Sequence, residues 1–143
     1  MQVEEIKEFN PDVLEALKIL LPQLSNNAAL PTMDLTRKIV ESDVTRLLFA
    51  RQEERTLGML TIVIFPIATG VRAWIEDVVV DESGRGMGVG EALSKHALKL
   101  ARSEGAKNVD LTSRPSREAA NRLYQRIGFV LRETNVYRFE IDD

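Results

Sequence analysis

The chain has 143 residues, with 19 Lys+Arg against 22 Asp+Glu, one His and no Cys. A chain of this length buries its own core without disulfide or metal support, and the missing cysteines exclude disulfide frameworks, thiolate nucleophiles and thiolate zinc sites. A net charge of −3 argues against a nucleic-acid partner. No apolar run long enough for a membrane span occurs, and acids stand where a secretory leader is basic, so the expectation is a cytoplasmic single domain over residues 1–143 with no membrane partner.

In chain order, Val3 and Ile6 suggest an edge strand. Asn10-Pro11-Asp12 has the grammar of a helix start: a capping amide, a proline at the first turn and an acid at the positive end of the dipole. Val13, Leu14, Leu17, Leu20 and Leu21 then form one apolar stripe, which Pro22 is expected to stop. Residues 23–33 lack a period and read as a loop. A second helix follows Thr32 or Asp34, with Leu35, Ile39 and Val40 expected inward. From Thr45 the period becomes extended, and 47–49 and 57–66 read as an antiparallel hairpin around a charged turn at 52–55. After a turn at Gly70, residues 72–81 form a third strand that runs into a glycine cluster. Val89, Leu93, Ala97 and Leu100 share a helical face up to Gly105. A short strand at 108–112, a helix marked by Ala120, Leu123 and Ile127 and ended by Gly128, and one or two strands within 129–141 complete the reading. The fold class is α/β, a mixed sheet flanked by helices.

Gly84, Gly86, Gly88 and Gly90 fall between a strand and a helix. Unpaired N–H groups at a helix N-terminus, with glycines admitting a phosphate to the backbone, make an anion cradle. The spacing fits neither a dinucleotide fingerprint nor a P-loop: the third position of Gly-x-Gly-x-x-Gly lands on Val89 or Glu91, and Gly90 is followed by Glu91-Ala92 rather than Lys-Ser/Thr.

Arg85-Gly86-Met87-Gly88-Val89-Gly90 resembles the Arg/Gln-x-x-Gly-x-Gly/Ala pyrophosphate loop of the GNAT superfamily of acyl-CoA N-acyltransferases. Ile75-Glu76-Asp77-Val78-Val79-Val80-Asp81 is similar to that family's central strand, and Gly58-Met59-Leu60 and residues 119–129 to two further blocks, in the family's order over residues 45–141. The resemblance implies the GNAT fold and an N-acetyltransferase that moves the acetyl group of acetyl-CoA directly to a primary amine, with no metal. By the same resemblance the pyrophosphate sits on Arg85, Gly86, Met87, Gly88, Val89 and Gly90, the pantetheine pairs with Val78, Val79 and Val80, Tyr124 protonates the leaving thiolate, and Asn121 meets a pantetheine amide.

An attacking amine must be neutral, so a base is useful. Strand alternation sends Glu76 and Asp77 to opposite faces, and Glu76 is favoured as the base. Trp74 shares its face. His96, the one histidine, lacks neighbours that complete a metal or triad set and reads as a packed helix residue. The acceptor is a small-molecule or peptide amine, with an amino-sugar phosphate as one candidate, since the Glu-Asp-Val-Val-Val run is similar to that of glucosamine-6-phosphate N-acetyltransferases. A non-catalytic acyl-CoA-binding module is the competing reading; it needs the glycine loop but not Tyr124. The last strand, 135–141, allows a homodimer by analogy with family members.

Overall fold

The computed structural model describes residues 1–142, which divide into two units, Met1–Thr112 and a second one starting at Ser113. The first unit holds strands β1 (Gln2–Ile6), β2 (Thr45–Gln52), β3 (Arg55–Ile67), β4 (Gly70–Val80) and β5 (Ala106–Asp110), and helices α1 (Pro11–Leu24), α2 (Met33–Glu41) and α3 (Val89–Ser103). The strands lie side by side in chain order, antiparallel except for β5, which runs parallel to β4. The parallel step follows from α3, whose length carries the chain back along the sheet before β5 begins.

α1 begins where the sequence indicates. The side chain of Asn10 accepts from the N–H groups of Asp12 (2.9 Å) and Val13 (3.2 Å), satisfying two of the helix's orphan donors. Val13, Ala16, Leu17 and Leu20 then face Leu47 and Phe49 of β2, Met59 of β3 and Val79 of β4 in one buried cluster. Each fully buried side chain there is worth about 1.5–3 kcal/mol over exposure. Pro22 does not end the helix. It lies in the last turn, where its missing N–H removes a single bond and the chain coils on to Leu24. In α2, capped by Thr32, the buried residues are Thr36 and Val40; Leu35 is half exposed rather than inward, because Thr36 takes the inner position and bonds its hydroxyl back to the Thr32 carbonyl at 2.8 Å. The opposite face of the sheet carries α3. A side chain at Gly58 of β3 would strike Val89 and Leu93, which places that strand face directly under the helix.

The second unit contains α4 (Glu118–Ile127), which ends at Gly128 in the left-handed conformation, as its sequence indicates. The strands expected within 129–141 are absent: residues 128–142 have no regular secondary structure. An extended segment becomes a strand only when a neighbour completes its ladder, and among the described residues none is bonded to this one.

Candidate active site

Three features of the first unit converge at the C-terminal end of β4. The first is a bulge. Met59 pairs with Val79 and Thr61 with Glu76, so β4 spends three steps where β3 spends two, and Asp77 takes a positive φ of 51°. A non-glycine residue in the left-handed region is strained, and here the bulge is what holds it there. The bulge also corrects the simple alternation at Glu76 and Asp77, since both side chains are exposed. Glu76 shares a face with Trp74, as expected, and its Oε2 accepts the indole N–H at 2.6 Å. Asp77 is open to solvent, yet partial burial of its carboxyl raises its pKa above the usual carboxylate value.

The second feature is an open edge. β5 pairs with β4 only as far as Trp74 opposite Asp110. Beyond that point no strand among the described residues covers 75–80 on that side, while the other side is bonded to β3. Val78, Val79 and Val80 therefore present main-chain groups to whatever lies along that edge.

The third is the glycine loop. Asp81 closes β4 with its N–H on the Leu57 carbonyl (2.8 Å), and a single turn, Glu82–Gly84, follows. One oxygen of Asp81 accepts from the Gln23 amide at 2.7 Å; the other accepts from the N–H of Ser83 at 3.0 Å and from its hydroxyl. These bonds hold the Asp81 carboxyl below its ordinary pKa, Gln23 contributing most. Gln23 also accepts from the Glu82 N–H at 3.1 Å, and Arg55 donates to the Ser83 hydroxyl at 2.6 Å. Gln23, assigned from the sequence to a loop, lies in the last turn of α1 and grips the start of the glycine loop with both ends of its amide. No local pattern announces a contact with a partner 58 residues away.

After this anchored start the backbone opens. The Arg85 and Met87 N–H groups are held by turn bonds of 3.4 and 3.3 Å. Among the described residues those of Gly86, Gly88, Val89 and Gly90 have no hydrogen-bond acceptor, and α3 begins at Gly88 without a side-chain cap. Four unbonded donors thus stand at the positive end of a 15-residue helix, the arrangement that holds a phosphate anion. Three glycines of the cluster do two different jobs. Gly84 is buried, and a Cβ there would lie 3.3 Å from Leu57. Gly86 and Gly88 are exposed, with open space around them, and are fixed by φ values of +79° and +78°.

The second unit carries the remaining candidates. Tyr124 is half-buried on α4, its ring edge-on to Phe129 with centroids 5.7 Å apart. Burial raises its phenol above the usual value, opposed in part by the Arg117 charge. Asn121 donates through Nδ2 to the carbonyls of Arg114 (2.9 Å) and Arg117 (2.8 Å), bracing the loop before α4. His96 is half-buried on α3. Among the described residues, no group of three or more His, Cys, Asp or Glu is placed to hold a metal, and no helix is long and apolar enough to cross a membrane.

A mixed sheet with a bulged fourth strand, an open edge and an uncapped glycine-led helix defines an acyltransferase-type fold. The sequence model of the Acetyltransferase (GNAT) family matches residues 13–129, and the chain belongs to that family. A glucosamine 6-phosphate N-acetyltransferase of Trypanosoma brucei brucei is 38% identical over 89 residues, which cover 60% of this chain and 58% of that protein; the match thus spans little more than half of the relative's length. Among solved structures, an aminoglycoside acetyltransferase from an uncultured soil metagenomic sample, in complex with sisomicin, superposes with a TM-score of 0.87 at 17% identity, over 99% of this chain and 96% of that one. A Trypanosoma brucei acetyltransferase superposes with a TM-score of 0.73 at 26% identity, over 98% and 99%.

Proposed function

We propose that this protein is an acetyl-CoA-dependent N-acetyltransferase acting on a primary amine of a small molecule, with an amine borne on a sugar ring as the leading acceptor class. The observation that carries the reading is the set of unbonded N–H groups at Gly86, Gly88, Val89 and Gly90 beside the open edge of β4. The amino-sugar acceptor is supported by the relatives named above, one a glucosamine 6-phosphate N-acetyltransferase and another bound to sisomicin.

In this reading the four free amides hold the CoA pyrophosphate, with the Arg85 guanidinium and the Met87 main chain flanking it. Val78, Val79 and Val80 pair with the pantetheine amides, and the same edge lends an N–H to the oxyanion that develops on the carbonyl. Acetyl-CoA supplies an activated acetyl carbonyl with a thiol leaving group. Glu76 takes the proton the acceptor ammonium must lose, the neutral amine adds to the carbonyl to give the oxyanion, and its collapse breaks the C–S bond while the second nitrogen proton passes through water to restore the Tyr124 phenol. Tyr124, kept protonated by its raised pKa, delivers a proton to the departing sulfur. Asn121, with Nδ2 engaged by its own loop, offers Oδ1 to a pantetheine N–H.

A thiol-release assay with acetyl-CoA and a panel of glucosamine 6-phosphate, sisomicin, free amino acids and peptide amines tests the activity and the acceptor together. Turnover with an amino sugar is the expected result, and CoA binding with no turnover on any amine would favour a non-catalytic binding module. Tyr124→Phe separates the roles: kcat falls about 10²-fold or more while CoA affinity is kept. Unchanged turnover removes the hydroxyl from the reaction.

A further inference from the structure

Trp74 and Glu76 stand two residues apart on one face of β4, and the strand holds them differently. Trp74 is flanked on both sides, by Val63 of β3 and by Asp110 of β5. Glu76 is opposite Thr61 on one side only; the pairing with β5 has ended, and the bulge at Asp77 follows at once. A half-buried ring thus sits on the paired part of the strand, and an exposed carboxylate on its open, bulged end.

An exposed glutamate samples several rotamers, and a base that is to meet a substrate must be held in one of them, at a cost in conformational entropy. Among the described residues no Arg, Lys or His forms an ion pair with Glu76. What holds it is the indole N–H, which donates to Oε2 at 2.6 Å, a short, charge-assisted bond. The indole is a donor only, and its N–H projects in one direction from a rigid ring, so it fixes one carboxylate oxygen and leaves Oε1 for another partner.

We infer that Trp74 is a positioning residue of the acetyl transfer: its indole, seated on the paired part of β4, holds the Glu76 carboxylate in one orientation with Oε1 turned to the acceptor's ammonium. The inference rests on the reading of Glu76 as the base, and Trp74 acts through Glu76 alone.

Two measurements on the intact protein test it. Trp74 is the one tryptophan of the chain, so its indole N–H gives a single cross-peak in a nitrogen–proton correlation spectrum. Glu76→Ala is expected to displace that peak while the backbone amide peaks keep their dispersion; an unmoved peak overturns the inference. Because Glu76 is exposed, this arm is read whatever Trp74→Phe does to the fold. In the thiol-release assay, with acetyl-CoA and the best acceptor of the panel above, Trp74→Phe is expected to lower kcat about 10-fold and to leave the KM for acetyl-CoA unchanged. That is short of the about 10²-fold or more that loss of the base itself costs. In the Glu76→Ala background the same substitution should cost nothing further, because the group it orients is gone. An equal loss in both backgrounds means that the ring serves the fold and not the base, and overturns the inference. So does an active parent whose Trp74→Phe variant turns over within about two-fold of it, a result that leaves the acetyl-transfer reading standing. A parent with no turnover on any amine removes that reading and the role of Trp74 with it.

Discussion

Replacing Gly88 by Ala isolates what the glycine loop contributes. The residue sits at φ +78°, and a Cβ there meets nothing within 4 Å, so the change adds no clash and acts through the backbone alone. An L-residue pays about 1–2 kcal/mol to stay left-handed. If the loop relaxes out of that conformation, the free amides turn away from the ligand, and the binding-competent fraction falls with the same free energy. The apparent Kd for CoA then rises about 5- to 30-fold. The control is Gly58→Ala, whose added Cβ would lie 2.8 Å from the Val79 carbonyl and from Val89 Cγ1. That is overpacking between β3, β4 and α3, at a cost of about 1–3 kcal/mol, or a Tm lower by roughly 3–10 °C for a chain of this length. Calorimetric titration with CoA and thermal melts on both variants separate the two effects: Gly88→Ala weakens binding, whereas Gly58→Ala lowers stability. A Gly88→Ala protein that binds CoA within two-fold of the parent would refute the argument that the left-handed turn aims those amides at the ligand.

Gln23→Ala removes both bonds that fix Asp81 and Glu82; CoA affinity should fall a few-fold, by about 1 kcal/mol, with kcat less affected, and titration against steady-state kinetics reads the split. Asp77 has a raised folded pKa, so its ionised form is penalised by folding at every pH above the ordinary carboxyl value, and the penalty vanishes once the group is protonated in both states. Asp77→Asn, which also suits a positive φ, should therefore raise Tm at pH 7 by more than it does near pH 3; melts at the two pH values check the sign. For Tyr124 the raised phenol pKa puts loss of the proton donor on the far alkaline side, so kcat should show no tyrosine limb below about pH 10, and a limb near neutrality would contradict the role.

What the sequence made legible is what neighbours in the chain decide. Asn10 caps α1, Thr32 caps α2, Gly128 ends α4, and the change from helical to extended period at Thr45 marks β2, because each depends on residues within a turn or two. The glycine loop was legible for the same reason: strand, bare backbone and helix start follow one another directly. Where tertiary context decides, local rules failed. Pro22 was absorbed into a last turn that Gln23 ties down from outside, since its amide reaches both the Ile19 carbonyl and Asp81. The Asp77 bulge cannot be read from Glu-Asp-Val-Val-Val, because the shift arises only when β4 is laid against β3.

The tail marks the limit most clearly. Its alternation predicts one or two strands, and the structure has no regular secondary structure there. Periodicity reports which face a segment would bury; it says nothing of where the ladder partner comes from. Helices carry their hydrogen bonds within themselves, so α4 forms with no buried residue, whereas an extended segment becomes a strand only beside a neighbour.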